Sequence, residues 1–181
     1  MRRTVLVLLA AGCAYPGKAT REERLTIAAE ERGRYCDRDV EAVVGEIGSD
    51  IRVAEPLYVK LRTGPKASNY SVKLVGAQLY VPGRHGMTPE ELERVLRCHQ
   101  ARSVLGDISP TAADPFSLPD AWIDIRVRPE RWGLVVNVRG QTPEESQLVD
   151  SRAQRLWSRS PGGVEAAQGE EQVIDGARAA P

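Results

Sequence analysis

The sequence predicts an α+β domain of order αββαββα. Its sheet is four-stranded and mainly antiparallel, with helices packed on one face and a further helix at the N-terminus. Three observations carry this. Two stretches, 56–83 and 122–139, alternate apolar and polar residues with period two and turn back on themselves. Each is followed by the same helix start, Thr-Pro-Glu-Glu, at Thr88 and again at Thr142. An earlier stretch places apolar residues at helical spacing behind a capping pair, Thr20 and Glu23.

A chain of 181 residues fits one domain, and an apolar fraction of 41% supplies an ordinary core. Basic and acidic side chains balance at 25 each, so no net field draws the chain toward nucleic acid. Arginine outnumbers lysine but is spread along the chain and forms no block. A GC-rich coding bias explains that more simply than phosphate binding does.

The opening "MRRTVLVLLAAGC" reads as an address. Arg2 and Arg3 form a basic n-region, 4–11 a short apolar h-region, and small residues lead to Cys13. Such a segment is a secretory signal, too short to span a bilayer. Leu9-Ala10-Ala11-Gly12-Cys13 resembles the bacterial lipobox, whose cysteine is acylated and becomes the first mature residue. The customary leucine stands one place early here, so cleavage after Ala14 is the alternative, and a cytoplasmic core strand is a third reading. The expected organisation is a signal peptide over 1–12, a linker behind a palmitate-bearing Cys13 over 13–19, a domain over 20–157 and a disordered tail over 158–181. The expected location is the cell envelope. Ala14, standing where aspartate would favour the inner membrane, points to the outer one. Losing 1–12 removes Arg2 and Arg3 and no acid, which leaves a slightly acidic mature chain.

The elements follow in order. Residues 20–44 read as one helix, with Gly33 a point of bending and Gly45 or Gly48 its end. "PLYVKLRT" is a half-buried strand, and "YSVKLVGAQLYVPG" returns beside it. In the return strand the apolar phase changes at Gly76, from Val72 and Leu74 to Ala77, Leu79 and Val81, which calls for a bulge there. Thr88 caps the next helix, Pro89 takes its first position, Glu91 completes a capping box and Gly106 ends it. A polar, proline-rich connection leads to the second hairpin, with Ile123, Ile125 and Val127 facing Leu134, Val136 and Val138. The last helix repeats the capping box with Thr142 and Glu145. The repeat reads either as an internal ββα duplication or, more simply, as a good helix start used twice.

"RVLRCHQARS" puts Cys98 beside His99 within a helix. At 100° per residue His99 shares a face with Leu92, Val95, Leu96 and Ser103 and is expected to point at the sheet, while Cys98 points elsewhere. A buried, hydrogen-bonded imidazole is the plain reading of His99. A metal or thiol site using Cys98, His99 and His85 is the sharper alternative. It lacks a CxxC, an HxxxH or a third histidine, so no metal or cofactor is expected. If Cys13 is acylated, Cys36 and Cys98 are the remaining thiols. In an oxidising compartment such a pair is a disulfide candidate, provided the Cα atoms approach within about 7 Å. Ser71, Ser103 and Ser117 lack a nucleophile-elbow context. Arg84 and His85, before a helix start, form a minor anion candidate opposed by Glu90 and Glu91. Asp120 and Asp124 show no pairing for acid–base work.

The run "GAQLYVPGRHGMTPEELERVLRCHQARS" resembles a group of uncharacterised secreted or lipoprotein-type bacterial proteins of deltaproteobacterial type. These carry a G-A-x-L-x-V-P strand followed by a helix ending in R-C-H or D-C-H. The likeness extends over about 20–157. Members often have Cys-Pro-Leu before the second hairpin; this chain has Asp114-Pro115-Phe116, which leaves Cys36 as the partner for Cys98. The resemblance implies export and this architecture and supplies no reaction. The expectation is a non-catalytic binding or structural module held at a membrane by its lipid, with an envelope protein, a cell-wall polymer or a small ligand as partner and no nucleic acid.

Overall fold

The computed structural model describes residues 19–36, 40–62, 70–84 and 86–160. The elements are α1 (Arg21–Tyr35), α2 (Val40–Asp50), β1 (Val53–Arg62), β2 (Tyr70–Pro82), α3 (Pro89–Val104), β3 (Asp124–Glu130), β4 (Gly133–Arg139) and α4 (Pro143–Trp157). The four strands form one antiparallel sheet of order β1-β2-β4-β3. The second strand of each hairpin is therefore central and the first lies at an edge. Both edge strands carry a proline, Pro56 and Pro129, which is tolerated where no neighbour needs the missing N–H.

The expected α+β class and strand count hold, with one correction. The single helix expected over 20–44 is two. α1 does not break at Gly33; it ends at Cys36, whose backbone is extended (φ −88°, ψ 111°). α2 then runs through Gly45 and Gly48 to Asp50. The two helices do different jobs: α1 packs along α3, whereas α2 meets both α3 and β2. A continuous helix cannot follow both paths.

The helices cover one face of the sheet. Ala77, Leu79, Val81, Leu134, Val136 and Val138 of the central strands meet Leu92 and Leu96 of α3 and Val149 and Ala153 of α4 in one core. The helices are exchanged between hairpins: α3, which follows the first, packs on β3, while α4, which follows the second, packs on β1 and β2. The opposite face is mixed, with Val135 buried between Tyr80 and Arg128. There the Gln78 amide donates to the Tyr80 hydroxyl, and Arg128 donates to Gln78 at 3.4 Å.

Helix starts follow the sequence closely. Thr20 and Thr142 form reciprocal capping boxes with Glu23 and Glu145. At α3 only half the box is present. The Thr88 hydroxyl accepts the Glu91 N–H, but the Glu91 carboxylate lies 3.8 Å from Arg94. Ser158 and Ser160, assigned from sequence to a tail, continue the fold: Ser160 is buried and its hydroxyl donates to the Ile51 carbonyl. The rest of that expected tail lies outside the described residues.

The bulge falls where the phase change required it. Leu57 pairs with Gly76 but Tyr58 with Leu74, so Val75 is the extra residue. Gly76 has φ +148°, and a Cβ there would sit 1.9 Å from the Val138 carbonyl oxygen. No side chain fits between β2 and β4 at this point. Gly76→Val is therefore expected to lower stability by about 3 kcal/mol or more. A urea titration checks this, and an unchanged midpoint would contradict it.

Candidate functional site

α3 presents Cys98, His99, Gln100 and Ala101 as four consecutive buried residues. A helix buries such a run only when it is covered on several sides. Here α1, α2, the sheet and the 108–118 connection each take part.

Cys98 is bonded to Cys36, with Cα atoms 5.2 Å apart. The bond fastens the end of α1 to α3. Beside it, Arg97 of α3 approaches Glu31 of α1 at 3.9 Å, and Arg32 pairs with Asp107 just beyond α3 at 3.2 Å.

His99 does not face the sheet as the helical wheel suggested. Its Nδ1 lies 2.9 Å from the Glu41 carboxylate of α2, and its Nε2 lies 2.7 Å from the Asp114 carboxylate. The side chain is 6% exposed. A neutral imidazole has one N–H, so donation to both carboxylates requires the imidazolium. Burial pushes its pKa down, the largest single effect. The hydrogen bond and charge of Asp114, joined by the charge and hydrogen bond of Glu41, outweigh it and raise the pKa above its ordinary 6.5.

Both carboxylates are themselves held. The other Glu41 oxygen lies 3.4 Å from Arg102, one turn further along α3. Asp114 closes a local turn by accepting the Phe116 N–H at 2.8 Å. Arg152 of α4, buried below this turn, donates to the carbonyls of Asp114 and Ser117 at 3.1 and 2.9 Å. Burial lowers the Arg152 pKa, and the Asp114 charge opposes that effect.

The Glu41–His99–Asp114 group forms one wall of a cavity of about 400 Å³. Val44, Ile108, Pro110, Phe116 and Leu156 make the rest of the lining largely apolar, and Arg159 also reaches it. Gly45 lies on the same wall, and a Cβ there would meet nothing within 4 Å.

The arrangement is a strong electrostatic contact and a weak reactive centre. An imidazolium with both protons committed offers no lone pair for proton abstraction or metal binding. A disulfide sulfur offers no thiolate. No group of three or more histidine, cysteine or acidic side chains among the described residues is arranged to hold a metal ion. Of the residues singled out in sequence, the structure unites Cys36 with Cys98 and sets His99 apart from both. Cys13 and His85 lie outside the described residues. Arg84, the minor anion candidate, is closed by Glu46 and Asp50 of α2, and its hydrogen bond to Asp50 raises its pKa further. Glu41 and Asp114 escaped sequence reasoning. The available signal was an aspartate placed to close a turn inside a proline-rich connection.

Two outcomes are expected. Reduction of the 62-residue crosslink should lower stability by about 4 kcal/mol, read as a shift in the urea midpoint with and without reductant. The His99 contribution has the sign of a raised histidine pKa. It is fully present below pH 6.5 and is lost as pH rises through the higher folded value. Urea midpoints measured across that rise should fall in the native protein, and the part of the fall due to His99 should vanish in His99→Gln.

No protein-family model, curated protein or solved structure matches the chain, so its function has to be read from this geometry.

Proposed function

We propose that the chain is an exported lipoprotein of the bacterial cell envelope, anchored through acylated Cys13, whose α+β domain is a non-catalytic binding module. The observation that carries the reading is the commitment of its most reactive residues to structure. Cys98 is spent in a disulfide, and both nitrogens of His99 are held by carboxylates beside an open, largely apolar cavity. A cavity of this size and lining suits a small, mostly apolar ligand oriented by a few polar groups. The disulfide fits an oxidising compartment such as the periplasm, with the lipid in the outer membrane. Among the described residues no helix is long and apolar enough to cross a membrane.

The test is the intact mass of the protein from native host membranes, with and without reduction before thiol alkylation. Expected is a chain starting at acylated Cys13 that takes up alkylating agent at Cys36 and Cys98 only after reduction. An unacylated chain would overturn the anchor. Alkylation of Cys98 without reduction would overturn the structural role of the pair and favour a thiol or metal function with His99 or His85.

A further inference from the structure

The first hairpin extends past the sheet. β2 pairs with β4 only from Gly76 to Pro82, so residues 70–74 pair with β1 alone and, with the bulged Val75 at their base, form a two-stranded arm. Cross-strand partners share a face, and one face of the arm carries Tyr58 with Leu74, Lys60 with Val72, and Arg62 with Tyr70. The bulge keeps this face in phase with the helix-covered side of the sheet, but among the described residues no helix covers it. Tyr58, Tyr70 and Val72 are 56%, 57% and 63% exposed, whereas the same side of the central strands is buried at Ala77, Leu79, Val81, Leu134, Val136 and Val138.

The charge is one-sided. No aspartate or glutamate occurs from 56 to 89, while Lys60 and Arg62 stand on this face of the arm and Lys73 on its other face. Exposed tyrosines interleaved with cations are the composition of a membrane-interface contact.

The chain's entry point lies at the same end of the sheet. The Ala19 N–H donates to the Gln141 side chain at 3.3 Å, and the adjacent Gly140 N–H donates to the Val75 carbonyl at the base of the arm. Five residues lie between Cys13 and Ala19, and the six steps from one to the other reach at most ~20 Å. The projecting part of β1 has about the same length. A lipid at Cys13 would therefore hold the arm against the bilayer surface.

We infer that the 57–62/70–75 arm is a second membrane contact, which docks its tyrosine- and lysine-bearing face on anionic lipid headgroups and sets how the domain stands on the membrane. The geometry of the anchor rests on the lipoprotein reading; the charge and aromatic pattern of the arm does not.

The test is co-sedimentation of the full-length chain with vesicles of phosphatidylcholine alone or mixed equally with phosphatidylglycerol. Native protein should bind the anionic vesicles more tightly, and added salt should remove the difference. Replacing Lys60 and Arg62, the two cations of this face, together by glutamate should weaken anionic-vesicle binding about tenfold or more. Replacing Arg128 and Arg131 by glutamate, toward the opposite end of the sheet, should leave it unchanged. Equal binding to both vesicle types, or an equal loss in the two double variants, overturns the inference. Binding to a soluble polyanion without binding to anionic vesicles also overturns it and assigns the arm to a polymer. Acylation of Cys13 is read separately by mass, so a failed anchor and a failed arm give different results.

Discussion

A single histidine ring joins three segments that have no local reason to meet. His99 sits on α3, Glu41 on α2 and Asp114 in the connection before β3, and each gives the others a charge-assisted partner at hydrogen-bond distance. Burying the His99 or the Asp114 charge alone would cost several kcal/mol, so these two depend on each other, while Glu41, 39% exposed, completes the contact from the rim. Much else follows from the contact. It fixes where α2 crosses α3, it holds the irregular 108–118 segment against the core, and it shapes one wall of the cavity. Arg152 and Arg102 extend the network outward, so four separate parts of the chain meet around one ring.

Cys98 is the immediate neighbour of His99 and does a parallel job in another direction. One helical step of 100° sends the two side chains to different elements, the sulfur to the end of α1 and the imidazole to α2. The pair that looks like a reactive dyad in sequence is two adjacent fasteners. Together they explain why α1 and α2 are separate helices. The chain must stop at Cys36 to reach one side of α3 and restart by Val40 to reach the other. What they leave over is the cavity and the exposed arm. They lie on different parts of the molecule.

The sequence was most legible where the determinant is local. The Thr-Pro-Glu-Glu starts, the period-two strands and the bulge at Gly76 each depend on a few neighbouring residues, and each lies where the pattern places it. Parity of the thiols pointed to Cys36 and Cys98, although only the approach of α1 to α3 could decide the bond. The rest is set by packing between distant segments. Nothing between Thr20 and Val44 marks Cys36 as a helix end; Gly33 looked the better breaker and stays helical. Glu41 is one acid among many on charged helices, 58 residues from the ring it holds. The face His99 would choose was misjudged because the helical wheel assumes one buried side, whereas α3 is covered by α1 and α2 as well as by the sheet.

The most direct measurement is a nitrogen-detected NMR titration of the His99 ring in the intact, oxidised protein. If His99 is the charged fastener between Glu41 and Asp114, both ring nitrogens carry protons at pH 7 and the midpoint lies above 6.5, falling when Asp114 is replaced by asparagine. A neutral ring at pH 7, with one bare nitrogen and a midpoint at or below 6.5, would contradict this. It would leave a free imidazole lone pair on the wall of the cavity, and the case for a non-catalytic site would have to be rebuilt from that nitrogen.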